Sequence, residues 1–447
     1  MSTADPTTRP TGAEAVDPRV VQRRTLRVLV IAQIFSGAGL AAGVTVGALL
    51  AQRMLGSSDL SGLPSALFTA GSAAAALIIG SVSNRSGRRP GLVGGYLVGA
   101  IGGALVVLAA ALDSAALLFP ALLIYGSGTA TNLQARYAGA DLAATDRRGT
   151  AISTVLVATT LGAVGGPLLV STSGHLAHSL GLPTLSGPFL VATIAYGLAA
   201  AVLSTWLRPD PLLVARSDVQ ITSTALDRAL PDGTLPIPQA NAGTANGDEP
   251  GGMHDEATQV ANRQRAGDAT GIALGAAAMV LTQLIMVAIM TMTPVDMHQH
   301  GLGLGATGIV IAVHIGMMYL PSPVTGRVAD RYGPRTVILA GTASLLAAGL
   351  LASAASGHST TLLAIALGLL GLGWNLGLLG GTTLVTNAAE LDHRARVQGR
   401  VDLAVALSGA TGGLASGMIM SITSYSVLTF GGGLFALVML PTALRGR

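Results

Sequence analysis

Twelve times along its 447 residues the chain carries an apolar run long enough to cross a bilayer. A spanning helix needs about 20 apolar residues to cover a hydrocarbon layer about 30 Å thick. Such runs lie at roughly 28–52, 62–82, 90–111, 115–138, 150–172 and 187–207, and again at 270–293, 305–325, 335–355, 360–386, 400–421 and 424–443. In lipid every backbone N–H and C=O must find its partner within the protein, so a spanning run is a helix or a strand of a closed barrel. These runs are continuous and do not alternate, which excludes barrel strands. The fold class expected is an all-α membrane protein with twelve transmembrane helices.

Composition agrees with that class and removes others. Half of the residues are hydrophobic and 10% are charged, against about 25% charged in soluble domains. There is no Cys, so disulfides, zinc thiolates and thiol nucleophiles are excluded. All 25 basic residues are Arg, and no Lys is available for a phosphate-binding G-x-x-x-x-G-K-[ST] loop. A nucleotide-hydrolysing site of that type is therefore excluded. A pI near 9.8 could suggest nucleic acid. The Arg residues lie in short loops between apolar runs, however, and not along one soluble face, so no nucleic-acid partner is expected. Residues 1–26 end on Arg19, Arg23 and Arg24, and the apolar run behind them has no small-residue cleavage site. It reads as an uncleaved first span and not a signal peptide.

Charge placement orients the map. With the N-terminus inside and twelve crossings, 24 of the 25 Arg residues fall on the cytoplasmic side and only Arg53 falls outside. That bias has the sign of the positive-inside rule. Both termini are expected to be cytoplasmic. The stretch 208–267 separates the two sets of six runs and is rich in Pro, Gly, Asp, Asn and Thr, as in Pro231-Asp232-Gly233. It buries too little apolar surface to fold alone. The expected organisation is a tail over 1–27, a six-helix half over 28–207, a disordered cytoplasmic linker over 208–267 and a second half over 268–447.

The halves repeat at an offset of 245–247 residues. Gly80-Ser-Val-Ser-Asn84-Arg85-Ser-Gly87-Arg88-Arg89 matches Gly326-Arg-Val-Ala-Asp330-Arg331-Tyr-Gly333-Pro-Arg335. Gly126-Ser-Gly128 matches Gly371-Leu-Gly373, Asp146-Arg147 matches Asp392-His393, and Gly162-Ala-Val-Gly165-Gly166 matches Gly409-Ala-Thr-Gly412-Gly413. Six spans is an even number, so the two halves share one orientation, a parallel repeat.

The doubled loop pattern G-x-x-x-D-R-x-G-R-R, after spans 2 and 8, resembles the signature of the major facilitator superfamily. The resemblance covers the chain apart from the tail and the linker. It implies two six-helix halves that rock about a central cavity lined by spans 1, 4, 7 and 10, in a bacterial plasma membrane. Gly162, Gly165, Gly166 and Pro167 in span 5 resemble the glycine-proline motif of the family's drug/proton antiporters. Those antiporters usually carry an Arg within span 4. Here span 4 has none before Arg136, near its cytoplasmic end.

Within this frame the chemistry-bearing residues are few. Gly80, Asn84, Arg85, Gly87 and Arg88, with Gly326, Asp330, Arg331, Gly333 and Arg335, are expected to gate. The acidic position can cap a neighbouring helix, whose N-terminus favours negative charge; the plainer role of these Arg residues is to set topology. Polar side chains inside a membrane span are functional candidates. Asn132, Gln283, Trp374 and Asn375 are candidate cavity residues, against interhelical hydrogen bonding as the alternative. Met279, Met286, Met290 and Met297 share one face of span 7 with Gln283, which suits apolar ligands or ordinary packing. His314 and Asp402 are possible proton sites. A neutral His bonded to a backbone carbonyl, and an Asp402 ion pair with its neighbour Arg400, are the structural alternatives. His298 and His300 form no convincing metal site.

These residues favour a secondary transporter that exports a hydrophobic organic compound by proton antiport. Uptake of a small organic solute by symport is the alternative, and a non-transporting membrane receptor a more distant one. No cofactor is expected and no enzyme activity. The partners expected are a small organic substrate, protons and the lipid bilayer, with the chain acting as a monomer.

Overall fold

The computed structural model describes residues 17–55, 63–168, 170–229, 252–302, 304–355 and 359–440. Its described residues are helical throughout, joined by short turns. The first half contains α1 (Pro18–Leu55), α2 (Leu63–Ser86), α3 (Arg88–Ala111), α4 (Ala115–Ala140), α5 (Arg148–Leu168), α6 (Val170–Ser179) and α7 (Gly187–Trp206). A connecting helix α8 (Pro211–Ala229) follows. The second half contains α9 (Gly252–Gln299), α10 (Leu304–Tyr319), α11 (Ser322–Tyr332), α12 (Pro334–Ala355), α13 (Thr360–Ala388), α14 (Arg394–Ile422) and α15 (Tyr425–Phe435). Spans 5 and 8 are each made of two helices, α5–α6 and α10–α11. Among the described residues nine helices are long and apolar enough to cross a membrane, and a shorter apolar helix covers Tyr425–Met439.

The ends of the helices repeat as the sequence does. Ser114 caps α4 through Leu117 N–H and Ser359 caps α13 through Leu362 N–H, at equivalent places in the two halves. Each serine satisfies one of the N–H groups a helix start leaves without an internal partner. Span 8 breaks at Pro321, where the ring removes an N–H from the helical ladder.

Each half has its own core. Leu29, Tyr96, Tyr125, Phe189 and Tyr196 centre the first. Met279, Leu345, Leu370 and Trp374 centre the second, which also takes in Ile152 and Leu156 from α5 of the first half. Two seams join the halves, α2 against α14 and α5 against α11. Both are built on glycine contact. A Cβ on Gly80 would lie 2.8 Å from Gly399 Cα, and one on Gly326 would lie 2.7 Å from the Gly149 carbonyl. Backbones approach this closely only where no side chain intervenes. Both seams lie at the end of the molecule that bears the repeated loops.

The stretch 208–267 differs from the expected linker. Pro211–Ala229 is helical, and α9 already begins at Gly252. The cause is local. Asp210 accepts from Leu212 N–H at 3.0 Å, Pro211 supplies the first helical residue, and Leu212 is fully buried. An acidic cap followed by Pro is a strong helix start. The polar composition of the whole stretch concealed it. Residues 230–251, expected to be disordered, lie outside the described residues.

Candidate functional site

Three groups of described polar side chains bear on the expected transport path: one cluster inside each half, and a charged layer where the halves meet.

In the first half, Gln33 of α1 is the centre. Its amide donates to the Asn132 carbonyl and to Thr159 Oγ1, both at 3.1 Å, while its oxygen accepts from Tyr96 at 2.7 Å and Ser36 at 3.2 Å. Asn132 donates to Ser36 at 2.6 Å. These groups are buried and tie α1, α3, α4 and α5 together. Gln33 was not singled out in the sequence, although an amide in the first third of span 1 was a legible signal.

In the second half, Trp374 Nε1 donates to Gln283 Oε1 at 2.7 Å, linking α13 to α9. Tyr319 packs edge-on to Trp374 with ring centroids 5.6 Å apart. Asn375 turns the other way, towards the break in span 8. It donates to the Met318 carbonyl at 2.8 Å and to Ser322 Oγ at 2.7 Å, and accepts from Thr325 at 2.7 Å. Both amide hydrogens are used in bracing the junction of α10 and α11. Met279, Met286 and Met297 are buried in the same half and Met290 is half-buried. His314 is fully buried, with Nδ1 2.8 Å from the Leu367 carbonyl. The structural alternative for this residue has that geometry.

The charged layer lies at the seams. Asp402 of α14 pairs at 2.7 Å with Arg136 of α4, so its partner comes from the opposite half and is not the adjacent Arg400, which is exposed. Arg136 also donates to Thr382 Oγ1 at 3.1 Å and to the Tyr137 hydroxyl at 3.0 Å, and that hydroxyl donates to Asp402 at 3.1 Å. Its guanidinium carbon stands 4.3 Å from the Tyr137 ring centroid. A second pair joins Arg88 and Asp141 at 2.7 Å, with Arg88 also donating to Gln398 of the opposite half at 2.5 Å. Each Arg donates to further groups besides its carboxylate, which helps to offset the cost of burying its charge, whereas Asp402 Oδ2 is buried without a hydrogen-bond partner among the described residues. The partners are 266 and 53 residues apart in the chain, beyond the reach of any spacing argument.

The loop motifs sit on the same layer. Asp330 accepts from Gly149 N–H at 2.7 Å, Thr150 N–H at 2.8 Å and Thr150 Oγ1 at 2.5 Å, and so caps α5. Asn84 Oδ1 accepts from Arg396 N–H, near the start of α14, at 3.4 Å. Gly87 and Gly333 both have positive φ, 95° and 85°, at the tight turns into α3 and α12. Arg85 and Arg331 are exposed and Arg335 is half-buried. Gly162 is buried against α1, where a Cβ would lie 2.6 Å from Ala38 N. The surroundings of Gly165, Gly166 and Pro167 lie outside the described residues.

Two apolar grooves open at equivalent places on the outside of the halves. One of about 420 Å³ lies between α9, α14 and α15, with Leu284 and Phe435 on its walls, and one of about 380 Å³ lies between α1, α5 and α7, with Phe35 and Ile194. A polar cavity of about 400 Å³ lies at the far end of α9, beside Asp296, His300 and Tyr425. Neither His298 nor His300 belongs to a group of three or more possible metal ligands among the described residues.

Comparison with known proteins places this arrangement. The model of the Major Facilitator Superfamily matches residues 29–220 and 271–446. The chain is 51% identical to the MFS-type transporter YdeG of Bacillus subtilis over 95% of its own length and 93% of that protein. It is 26% identical to the riboflavin transporter RfnT of Brucella anthropi, over 95% of this chain and 96% of that one. Among solved structures, the human organic anion transporter MFSD10 superposes with a TM-score of 0.71 at 15% identity, covering 94% of this chain and 99% of that chain. With its doubled loops, its paired six-helix halves and a family match over most of its length, the chain belongs to the major facilitator superfamily of membrane transporters.

Proposed function

We propose that the protein exports a hydrophobic organic compound in exchange for protons. The observation that carries this reading is the buried Asp402–Arg136 pair, which crosses from one half to the other. A proton on Asp402 removes the charge that Arg136 pairs with, so proton binding and loosening of the seam become one linked event. The apolar cargo follows from what surrounds the expected cavity. Met286 and Trp374, buried in this state, and the half-buried Met290 would present polarizable and aromatic surface at mid-depth once the halves part, and Met adapts to irregular apolar ligands.

A second reading is uptake of a small aromatic solute by symport. The likeness to a riboflavin transporter favours it, as does the Trp374–Gln283 pair, a ring and an amide that would meet a solute together once the halves part.

In both readings 28–207 and 268–447 are the rocking halves, and the loop-bearing end with both termini is cytoplasmic. The 24-to-1 division of Arg supports that orientation. An alkaline phosphatase fusion at the 293–304 loop should be active and one at the C-terminus inactive; the reverse pattern rejects the orientation. The functional test uses inverted vesicles, a panel of hydrophobic dyes plus riboflavin, and an imposed proton gradient. Export by antiport predicts gradient-driven dye accumulation that is lost in Asp402→Asn. Gradient-driven riboflavin entry into right-side-out vesicles supports the second reading. Transport that ignores the proton gradient in both orientations rejects the two together.

A further inference from the structure

The helix that replaces the expected linker carries a contact between the halves. Its start is fixed to the first half. Asp210 caps α8 through Oδ1 and accepts from Arg89 N–H through Oδ2 at 2.7 Å. Gly87 makes room for that carboxylate, since a Cβ there would lie 2.6 Å from Asp210 Cγ. Leu207 and Leu212 bury the two sides of the junction. The first turn of α8 is therefore anchored at the entrance to α3.

Arg216 stands one and a half turns further on, and its side chain is 20% exposed. Nη1 donates to the Asn84 carbonyl at 2.8 Å. Nη2 donates to the Asp392 carbonyl at 2.9 Å and lies 3.3 Å from the Leu391 carbonyl. Asn84 is in the last turn of α2, in the first half; residues 391 and 392 are in the turn before α14, in the second. One planar guanidinium thus holds carbonyls of both halves. The Asn84 carbonyl, in the last turn of α2, is at the negative pole of that helix, so a cation is favoured there, while the carbonyls of 391 and 392 are turn acceptors outside any helical ladder. Arg is suited to the task because its fork presents fixed, parallel donors. The Asp392 carboxylate is 3.7 Å away but 83% exposed, so that ionic contact contributes little.

We infer that α8 is a clasp on the loop-bearing end, and that Arg216 is a positioning residue for the transport cycle, holding α2 to the turn before α14 until the two ends part. The local sequence explains why a clasp is needed on this seam. Asn84 brings no charge to α14, and its bond to Arg396 N–H is long. Arg216 supplies a different attachment, a cation donating to backbone carbonyls of both halves. The inference rests on the transporter reading only in requiring that the halves separate; it is independent of substrate and direction.

The test reads a distance, not transport. The native chain has no Cys, so spin labels on Ser86→Cys and Arg400→Cys, both exposed positions flanking the α2–α14 seam, report its opening in full-length protein in lipid nanodiscs. Arg216→Gln should raise the open-to-closed ratio about threefold to tenfold, the range expected from losing hydrogen bonds of this kind. Arg216→Lys, which keeps the charge but not the fork, should fall between, and remains the informative variant should Arg216→Gln not fold. Asp210→Asn, which loosens the anchor and leaves Arg216 untouched, should shift the ratio in the same direction by less. An unchanged ratio in Arg216→Lys and Asp210→Asn overturns the clasp, as does an unchanged ratio in folded Arg216→Gln. Asp330→Asn separates the two failures. If it opens the seam while the Arg216 variants do not, the clasp alone is wrong; if nothing opens the seam, the moving halves are wrong as well.

Discussion

The two seams occupy equivalent places in a repeated fold, yet they are held by different chemistry. On the α5–α11 seam one carboxylate, Asp330, takes two backbone N–H groups and a hydroxyl from the first turn of α5. On the α2–α14 seam the equivalent residue is Asn84, with one bond of 3.4 Å to the start of α14. The deficit is met by other groups. Arg88, whose equivalent in the second loop is Pro334, is buried against Asp141 and reaches Gln398 across the seam. Arg136 and Asp402 pair across it, and Arg136 also donates to Thr382 of the opposite half at 3.1 Å. Arg216 spans it from α8. A short capped contact closes one side and a distributed ionic network closes the other. Repetition conserves where the halves meet, while the balance of charge between the two contacts is free to change.

That difference orders the expected effects of breaking each contact. The largest belongs to the network. Asp402→Ala leaves the Arg136 guanidinium buried without its counter-charge, which in general costs about 3–5 kcal/mol. Purified Asp402→Ala should show the lowest melting temperature of the seam variants. The double variant Arg136→Met/Asp402→Leu removes both charges and should recover most of the loss, because an apolar pair of similar volume avoids the desolvation penalty. If the double variant melts no higher than Asp402→Ala, the destabilisation comes from lost packing and the network does not dominate this seam.

How far the seams could be read from the sequence follows the same division. Contacts built on local rules were visible. The apolar runs placed the helices, the repeated loops placed the glycine turns at 87 and 333, and helix polarity accounts for a carboxylate such as Asp330 standing at a helix start. Contacts that depend on which helices become neighbours were not visible. Arg136 reads as one more loop-end Arg until α14 brings Asp402 to it, and Asp402 has a closer false partner in Arg400. Asn375 looked like a midplane polar group of the cavity kind; the break in span 8 supplies Met318, Ser322 and Thr325 as its partners. α8 was hidden for another reason. Its cap was present as Asp210-Pro211, but a stretch of 60 residues was weighed by average composition, and two residues of local chemistry outweighed the average.

Asp330→Asn comes next in size. The amide keeps one acceptor oxygen but loses the charge, and its second heteroatom is a donor facing the donors of Gly149 and Thr150. Hydrogen bonds to charged groups contribute about 1.5–3 kcal/mol each, part of which survives in the amide. Disulfide cross-linking between Cys pairs placed across α5 and α11 should slow several-fold in Asp330→Asn. Removal of the weaker contact, Asn84→Ala, should slow cross-linking across α2 and α14 by less, because Arg216 and Arg88 remain. Equal losses from the two substitutions would mean that the seams are equivalent after all.

The smallest effect is expected from making the seams more alike. Asn84→Asp places a carboxylate where the amide now meets Arg396 N–H, and within 3.5 Å of Arg216 Nη2. A charge at a helix N-terminus contributes about 0.3–1 kcal/mol, and up to about 2 when partly buried. Asn84 is 7% exposed, so the upper part of that range applies before the cost of desolvating the new charge is subtracted. What remains is about a twofold to fivefold shift towards the state closed at the loop-bearing end. Single Cys probes in the expected central cavity should then react faster with a reagent added from the opposite side. In the Arg216→Gln background the same substitution should shift the population less, since the carboxylate keeps the helix start but loses the cation beside it. Equal shifts in the two backgrounds would show that the helix dipole alone reads the charge at position 84. An unchanged accessibility in both would show that this position has no part in closing the seam.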